Sequence, residues 1–67
     1  MKEFSGNALR NARKLKGFTQ KDLGLTIGTS ERVVQYWESG STEPTATFLL
    51  RMMILLGCEA DVLLSDE

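Results

Sequence analysis

The sequence predicts an all-α fold: a compact bundle of about five short helices in a single domain, residues 1–67. Three observations lead there. Gly17, Gly28, Gly40 and Gly57 each close an apolar stretch of helical period, where the residue just past a helix end belongs. Ser5, Thr19 and Ser30 stand ahead of such stretches as N-cap residues. No segment sustains the polar/apolar alternation of a half-buried strand.

The first helix is expected from about Ser5 to Lys16, with Leu9, Ala12 and Leu15 as its inward stripe and Gly17 as its stop. The second begins after Thr19. Thr19 and Asp22 stand three apart in the manner of a capping box, with Leu23 and Ile27 on one face and Gly28 at the end. The third begins after Ser30 and ends at Gly40, with Val34 and Trp37 inward and Val33 at the margin. Pro44 or Thr45 opens the fourth, which reaches about Leu56. Asp61 to Leu64 reads as a short fifth helix. A strand over residues 60–65 is the alternative, because Val62-Leu63-Leu64 has no clear period.

Composition excludes several kinds of chemistry. The chain has no histidine and one cysteine, Cys58. A Ser-His-Asp or Cys-His catalytic arrangement cannot be assembled, and no zinc-type ligand cluster is present. No metal, cofactor or enzymatic activity is expected. No apolar run approaches the ~18 residues of a membrane span, and Met1-Lys2-Glu3-Phe4 lacks a signal peptide's apolar region. The expected setting is reduced and cytoplasmic. Cys58 reads as a small apolar residue in the turn after the fourth helix.

The net charge of −1 hides an asymmetry. Residues 1–40 hold seven Lys or Arg against four Asp or Glu, a net of +3. Residues 41–67 hold Arg51 against five acids, a net of −4. Such a split points to a basic surface for a polyanion at one side, or to a solvated surface whose polarity carries no meaning.

Function concentrates between Gln20 and Trp37. Only Gly28-Thr29-Ser30 joins the second and third helices, and so tight a connection forces them to cross steeply, as a helix-turn-helix over about residues 19–39. Close crossing calls for a small residue. Gly24 supplies it directly after Leu23, at ~1 kcal/mol of helix propensity relative to Ala. Gly28 can take the positive φ of the turn. Val34 and Trp37 close the core beneath.

Thr19-Gln20-Lys21-Asp22-Leu23-Gly24, Ile27-Gly28-Thr29-Ser30, Val34, Trp37-Glu38, Gly40 and Pro44 together make this sequence similar to the lambda-repressor-like helix-turn-helix family of Cro and Xre type. The similarity runs from about Leu9 to Leu64. The run Val34 to Gly40 followed by Pro44 also resembles the DNA-binding halves of some antitoxins. The resemblance implies a DNA-binding regulator, of the repressor kind, whose third helix enters the major groove of double-stranded DNA while the second crosses the backbone. Glu31, Arg32 and Tyr36 are then the base-facing residues. Arg32 can grip a guanine through O6 and N7, Glu31 can accept from a cytosine amino group, and Tyr36 can pack on a thymine methyl. Gln20 matches the family's phosphate-holding glutamine. Thr19, Thr29, Ser30, Arg10 and Lys14 are further phosphate candidates. By the same resemblance Arg13 pairs with Glu38 as a structural bridge. One departure is the loop Ser41-Thr42-Glu43, where relatives often carry Lys or Arg.

The fourth helix is apolar all round. Phe48, Leu49, Met52, Leu55 and Leu56 fall on one face and Leu50, Met53 and Ile54 on the other. A chain this short has little material to cover both. Leu50, Met53, Ile54, Val62 and Leu63 or Leu64 are therefore the expected homodimer interface, and a twofold dimer predicts a palindromic site. The opposing possibility is a fifth helix folding over this side within one chain. A protein-interaction module that kept the fold and lost DNA, or an antitoxin domain that holds a toxin, is the alternative function. The acidic C-terminal half, Glu31 and the base-free loop support it.

Overall fold

The computed structural model describes residues 2–66, and five helical segments and two short strands follow one another along the chain. They are β1 (Lys2–Phe4), α1 (Gly6–Leu15), α2 (Gln20–Ile27), α3 (Glu31–Ser39), α4 (Ala46–Leu56), α5 (Ala60–Leu63) and β2 (Leu64–Asp66). Four helices of two turns or more carry the fold, and α5 is a single turn. Side-chain oxygens open the first three helices: Ser5 Oγ accepts from the Ala8 amide, Thr19 Oγ1 from Asp22 and Ser30 Oγ from Val33. Gly28, Gly40 and Gly57 close α2, α3 and α4 in left-handed conformation, where a Cβ would be strained.

The core is one cluster of Leu9, Ala12, Leu23, Ile27, Val34, Trp37, Met52, Leu56 and Leu63, with every helix represented. Trp37 is 3% exposed and meets Phe48 at a ring-centroid distance of 5.6 Å, tilted by 50°. Tilted aromatic pairs at this separation add to the area they bury.

Four sequence expectations are corrected. The ambiguous tail is helix and strand in succession. β2 pairs antiparallel with β1, Phe4 opposite Leu64, so a short two-stranded ladder joins the helical bundle. The strand alternative over residues 60–65 thus holds from Leu64 onward, while β1 has no sequence signal because three residues are too few for a period to register. Leu15 is 86% exposed and does not join the stripe of Leu9 and Ala12. It lies on the last turn of α1, and the buried side of that turn is taken by Arg13. Pro44 precedes α4, which starts at Ala46 with Thr45 as its N-cap. Leu63, assigned to an interface, is fully buried in the core. The turn of α5 folds back on α1 and α4, and the Ser5 amide donates to the Leu63 carbonyl at 2.9 Å. Met53, from the same assignment, is half-buried against the core. Leu50, Ile54 and Val62 are exposed.

Candidate nucleic-acid interface

The turn from α2 to α3 fixes the surface. Gly28 takes φ +92°, and the amides of Gly28 and Thr29 both donate to the Gly24 carbonyl, at 3.1 and 2.8 Å. The chain then passes directly over Gly24. A Cβ built there would lie 2.7 Å from the carbonyl carbon of Ser30, too close for any side chain. Leu23, Gly24 and Ile27 are buried beneath the turn.

α3 divides cleanly. Val34, Trp37 and Glu38 are buried, while Glu31, Arg32, Gln35 and Tyr36 are exposed. Gln35 was not picked out from the sequence, though its place three residues after Arg32 sets it on the same side of a helix. Arg10, Lys14, Thr19, Gln20 and Glu31 line one open groove of about 630 Å³ together with Arg13, Gly17 and Phe18. The structure thus brings four of the six phosphate candidates to one place. Thr29, half-buried, and Ser30, whose hydroxyl caps α3, do not line it. The first-turn amides of α2 lie outside its hydrogen-bond ladder and add partial positive charge at the groove.

Under this surface lies a buried carboxylate. Glu38 Oε2 accepts from Arg13 Nε at 2.7 Å, and Oε1 accepts from Arg13 Nη2 at 3.2 Å, Gln20 Nε2 at 3.1 Å and Arg10 Nε at 3.3 Å. Arg13 Nη1 also donates to the Phe18 carbonyl at 2.8 Å. Burial alone would push the Glu38 carboxyl up. The hydrogen bonds from Arg13 and Gln20, the charge of Arg13 and the hydrogen bond from Arg10 together outweigh it and hold the group below the ordinary glutamate value of 4.5. Two features have no counterpart in the sequence reading. Gly6 packs its backbone against the end of α3. Arg51 reaches from α4 to the Ile27 carbonyl at 2.9 Å and lies over the Phe48 ring. A lone Arg in an acidic half was the only signal for the latter.

Among the described residues no group of His, Cys, Asp and Glu could hold a metal ion, and no helix is long and apolar enough to cross a membrane.

Repressor protein C2 of Salmonella phage P22 is 32% identical over 65 residues, which cover 97% of this chain and 30% of that protein. The crystal structure of the P22 c2 repressor in complex with synthetic operator 9T superposes with a TM-score of 0.85 at 32% identity, over 97% of this chain and 98% of that one. The uncharacterized HTH-type transcriptional regulator YazB of Bacillus subtilis (strain 168) is 32% identical over 65 residues, 97% of this chain and 94% of that protein. The restriction-modification controller protein C.AhdI of Aeromonas hydrophila has a TM-score of 0.79 at 28% identity, over 87% and 88% of the two chains. The chain spans 30% of the P22 repressor and 24–34% of two further curated relatives. Residues 9–63 match the helix-turn-helix family. The tight Gly28-Thr29-Ser30 turn, the divided α3 and this match agree: the chain belongs to the helix-turn-helix family.

Proposed function

We propose that this chain is a sequence-specific DNA-binding transcriptional regulator, of the repressor kind, acting in the cytoplasm without a cofactor. α3 lies in the major groove with Glu31, Arg32 and Tyr36 on base edges, and α2 crosses the backbone. The observation that carries this reading is the division of α3. Its buried side is locked by Val34, Trp37 and Glu38, and its exposed side faces solvent beside the groove of Arg10, Lys14, Thr19 and Gln20. A rigid helix with a free polar face next to phosphate-binding groups is what direct readout requires. The likeness to a repressor solved on operator DNA supports it.

The regulator works as a homodimer, with Leu50, Ile54 and Val62 as the residues of the expected interface that stay exposed for a second copy. A twofold pair presents two recognition helices ~34 Å apart and selects a palindrome. Selection of bound duplexes from a random pool tests both points. Recovery of one palindrome is the expected result. Arg32→Ala should then cost ~1–3 kcal/mol and relax preference at one base position. Unchanged binding by this variant would reject the assignment of the reading face.

The exposed loop Ser41-Thr42-Glu43 carries no base and favours a second reading, a protein-interaction or toxin-holding antitoxin domain. Absence of binding to random duplex at ~50 mM salt, where phosphate contacts are strong, would select it.

A further inference from the structure

We propose that Glu38 is a positioning residue for DNA binding: it holds Gln20 and Arg10 in place for the phosphate backbone. The proposal rests on the DNA reading above and goes beyond a bridge between Glu38 and Arg13. Glu38 cannot touch DNA, because its side chain is 1% exposed. It acts through its donors. Arg13 alone satisfies Oε2 and one site on Oε1, which suffices for a structural pair. The same Oε1 also takes one donor from Gln20 and one from Arg10. Both of those side chains line the open groove.

The stoichiometry of the hydrogen bonds matters. Gln20 uses one N–H of its Nε2 group, and the second remains for another acceptor. Arg10 donates from Nε, so its two Nη groups remain for another acceptor. A phosphate in the groove therefore need not displace Glu38. Two long side chains are already fixed at one end, so less rotamer freedom is lost when the phosphate arrives. The carboxylate also offsets one of the two nearby guanidinium charges.

Two physical effects oppose each other here, and that makes a test possible. If Glu38 acted only as a charge, its neutralisation would strengthen attraction to DNA. If it positions Gln20 and Arg10, its neutralisation weakens binding. The experiment is a double-mutant cycle with Glu38→Gln and Gln20→Ala, titrated by fluorescence anisotropy against a random duplex at low salt, at a temperature where circular dichroism shows every variant folded. Wild-type protein binds. Gln20→Ala is expected to weaken it by ~10-fold to ~100-fold, the range of one hydrogen bond to a charged group. Glu38→Gln should weaken binding by a similar factor, and Gln20→Ala should then add little. Equal or tighter binding by folded Glu38→Gln, or an undiminished effect of Gln20→Ala in that background, overturns the proposal. Failure of the wild type itself to bind would instead reject the DNA reading, and the positioning role with it.

A second measurement covers a Glu38→Gln chain that does not fold. In 15N-labelled wild type, the Gln20 side-chain amide should shift with pH as Glu38 titrates below 4.5, before global unfolding. A Gln20 amide indifferent to that titration would show that the two are not coupled and would overturn the proposal.

Discussion

At single positions, close contact decides more than propensity. Gly6 opens α1 with its Cα against the end of α3. A Cβ there would lie 2.5 Å from the carbonyl oxygens of both Trp37 and Glu38. Replacing Gly by Ala at a helix start should gain up to ~1 kcal/mol of propensity. The clash is with backbone, which cannot rotate away, and overpacking of this kind costs ~1–3 kcal/mol or more. Gly6→Ala is therefore expected to destabilise the chain, seen as a lower urea midpoint. A raised midpoint would mean that α1 and α3 can slide apart. Glu38 sets a second residue-scale expectation. Its folded pKa is lowered from 4.5, so its contribution to stability is fully present above that unfolded value. The contribution is lost as pH falls through the lower folded value, when protonation leaves Arg13 without its buried partner. Melting curves from about pH 6 to about pH 3 should show this acid loss, and Glu38→Gln should flatten it. Breaking the pair outright costs ~3–5 kcal/mol in the well-buried limit.

At the level of helices, the question is what holds α2 and α3 at their crossing. Gly24 allows the approach, and Arg51 ties it from the other side. The guanidinium satisfies the Ile27 carbonyl, one of the unpaired carbonyls at the end of α2, and stacks on Phe48, which in turn meets Trp37 of α3. One side chain of α4 thus links both halves of the helix-turn-helix. Arg51→Ala should cost ~1–2 kcal/mol, from a lost charged hydrogen bond and a partly exposed cation–π contact. Hydrogen exchange should locate the effect, with the Gly28 and Thr29 amides losing more protection than those of α1. Uniform loss across all helices would contradict a local tie.

For the molecule as a whole, the balance lies between a core that closes on itself and a surface that does not. The principal dimensions are 30 × 24 × 20 Å, and the turn of α5 packs against α1 and α4. Ile54 remains 74% exposed and Leu50 stands beside it on the helix. Substitution of so exposed a residue should leave folding within ~0.5 kcal/mol. Ile54→Glu is accordingly expected to keep the melting temperature and shift sedimentation equilibrium toward monomer. An unaltered mass distribution would move the interface elsewhere, and a fall in stability would show Ile54 to be part of the fold.

Helix placement was legible in the sequence because caps and stops are local: Ser5, Thr19 and Ser30 at the starts, Gly28, Gly40 and Gly57 at the ends. The division of α3 was legible too, since a period of 3.6 separates Val34 and Trp37 from Arg32 and Tyr36. What the tertiary structure alone decided is whatever depends on distance between segments remote in sequence. It placed Gly6 on the end of α3, Arg51 on Ile27, Leu63 in the core and Leu15 outside it. It also brought Arg10 and Gln20, 28 and 18 residues away, onto the Glu38 carboxylate beside the Arg13 that the resemblance had already paired with it. Periodicity records which side of a helix is apolar. It carries no record of which other segment arrives there, because packing is settled by the whole set of surfaces competing for burial at once.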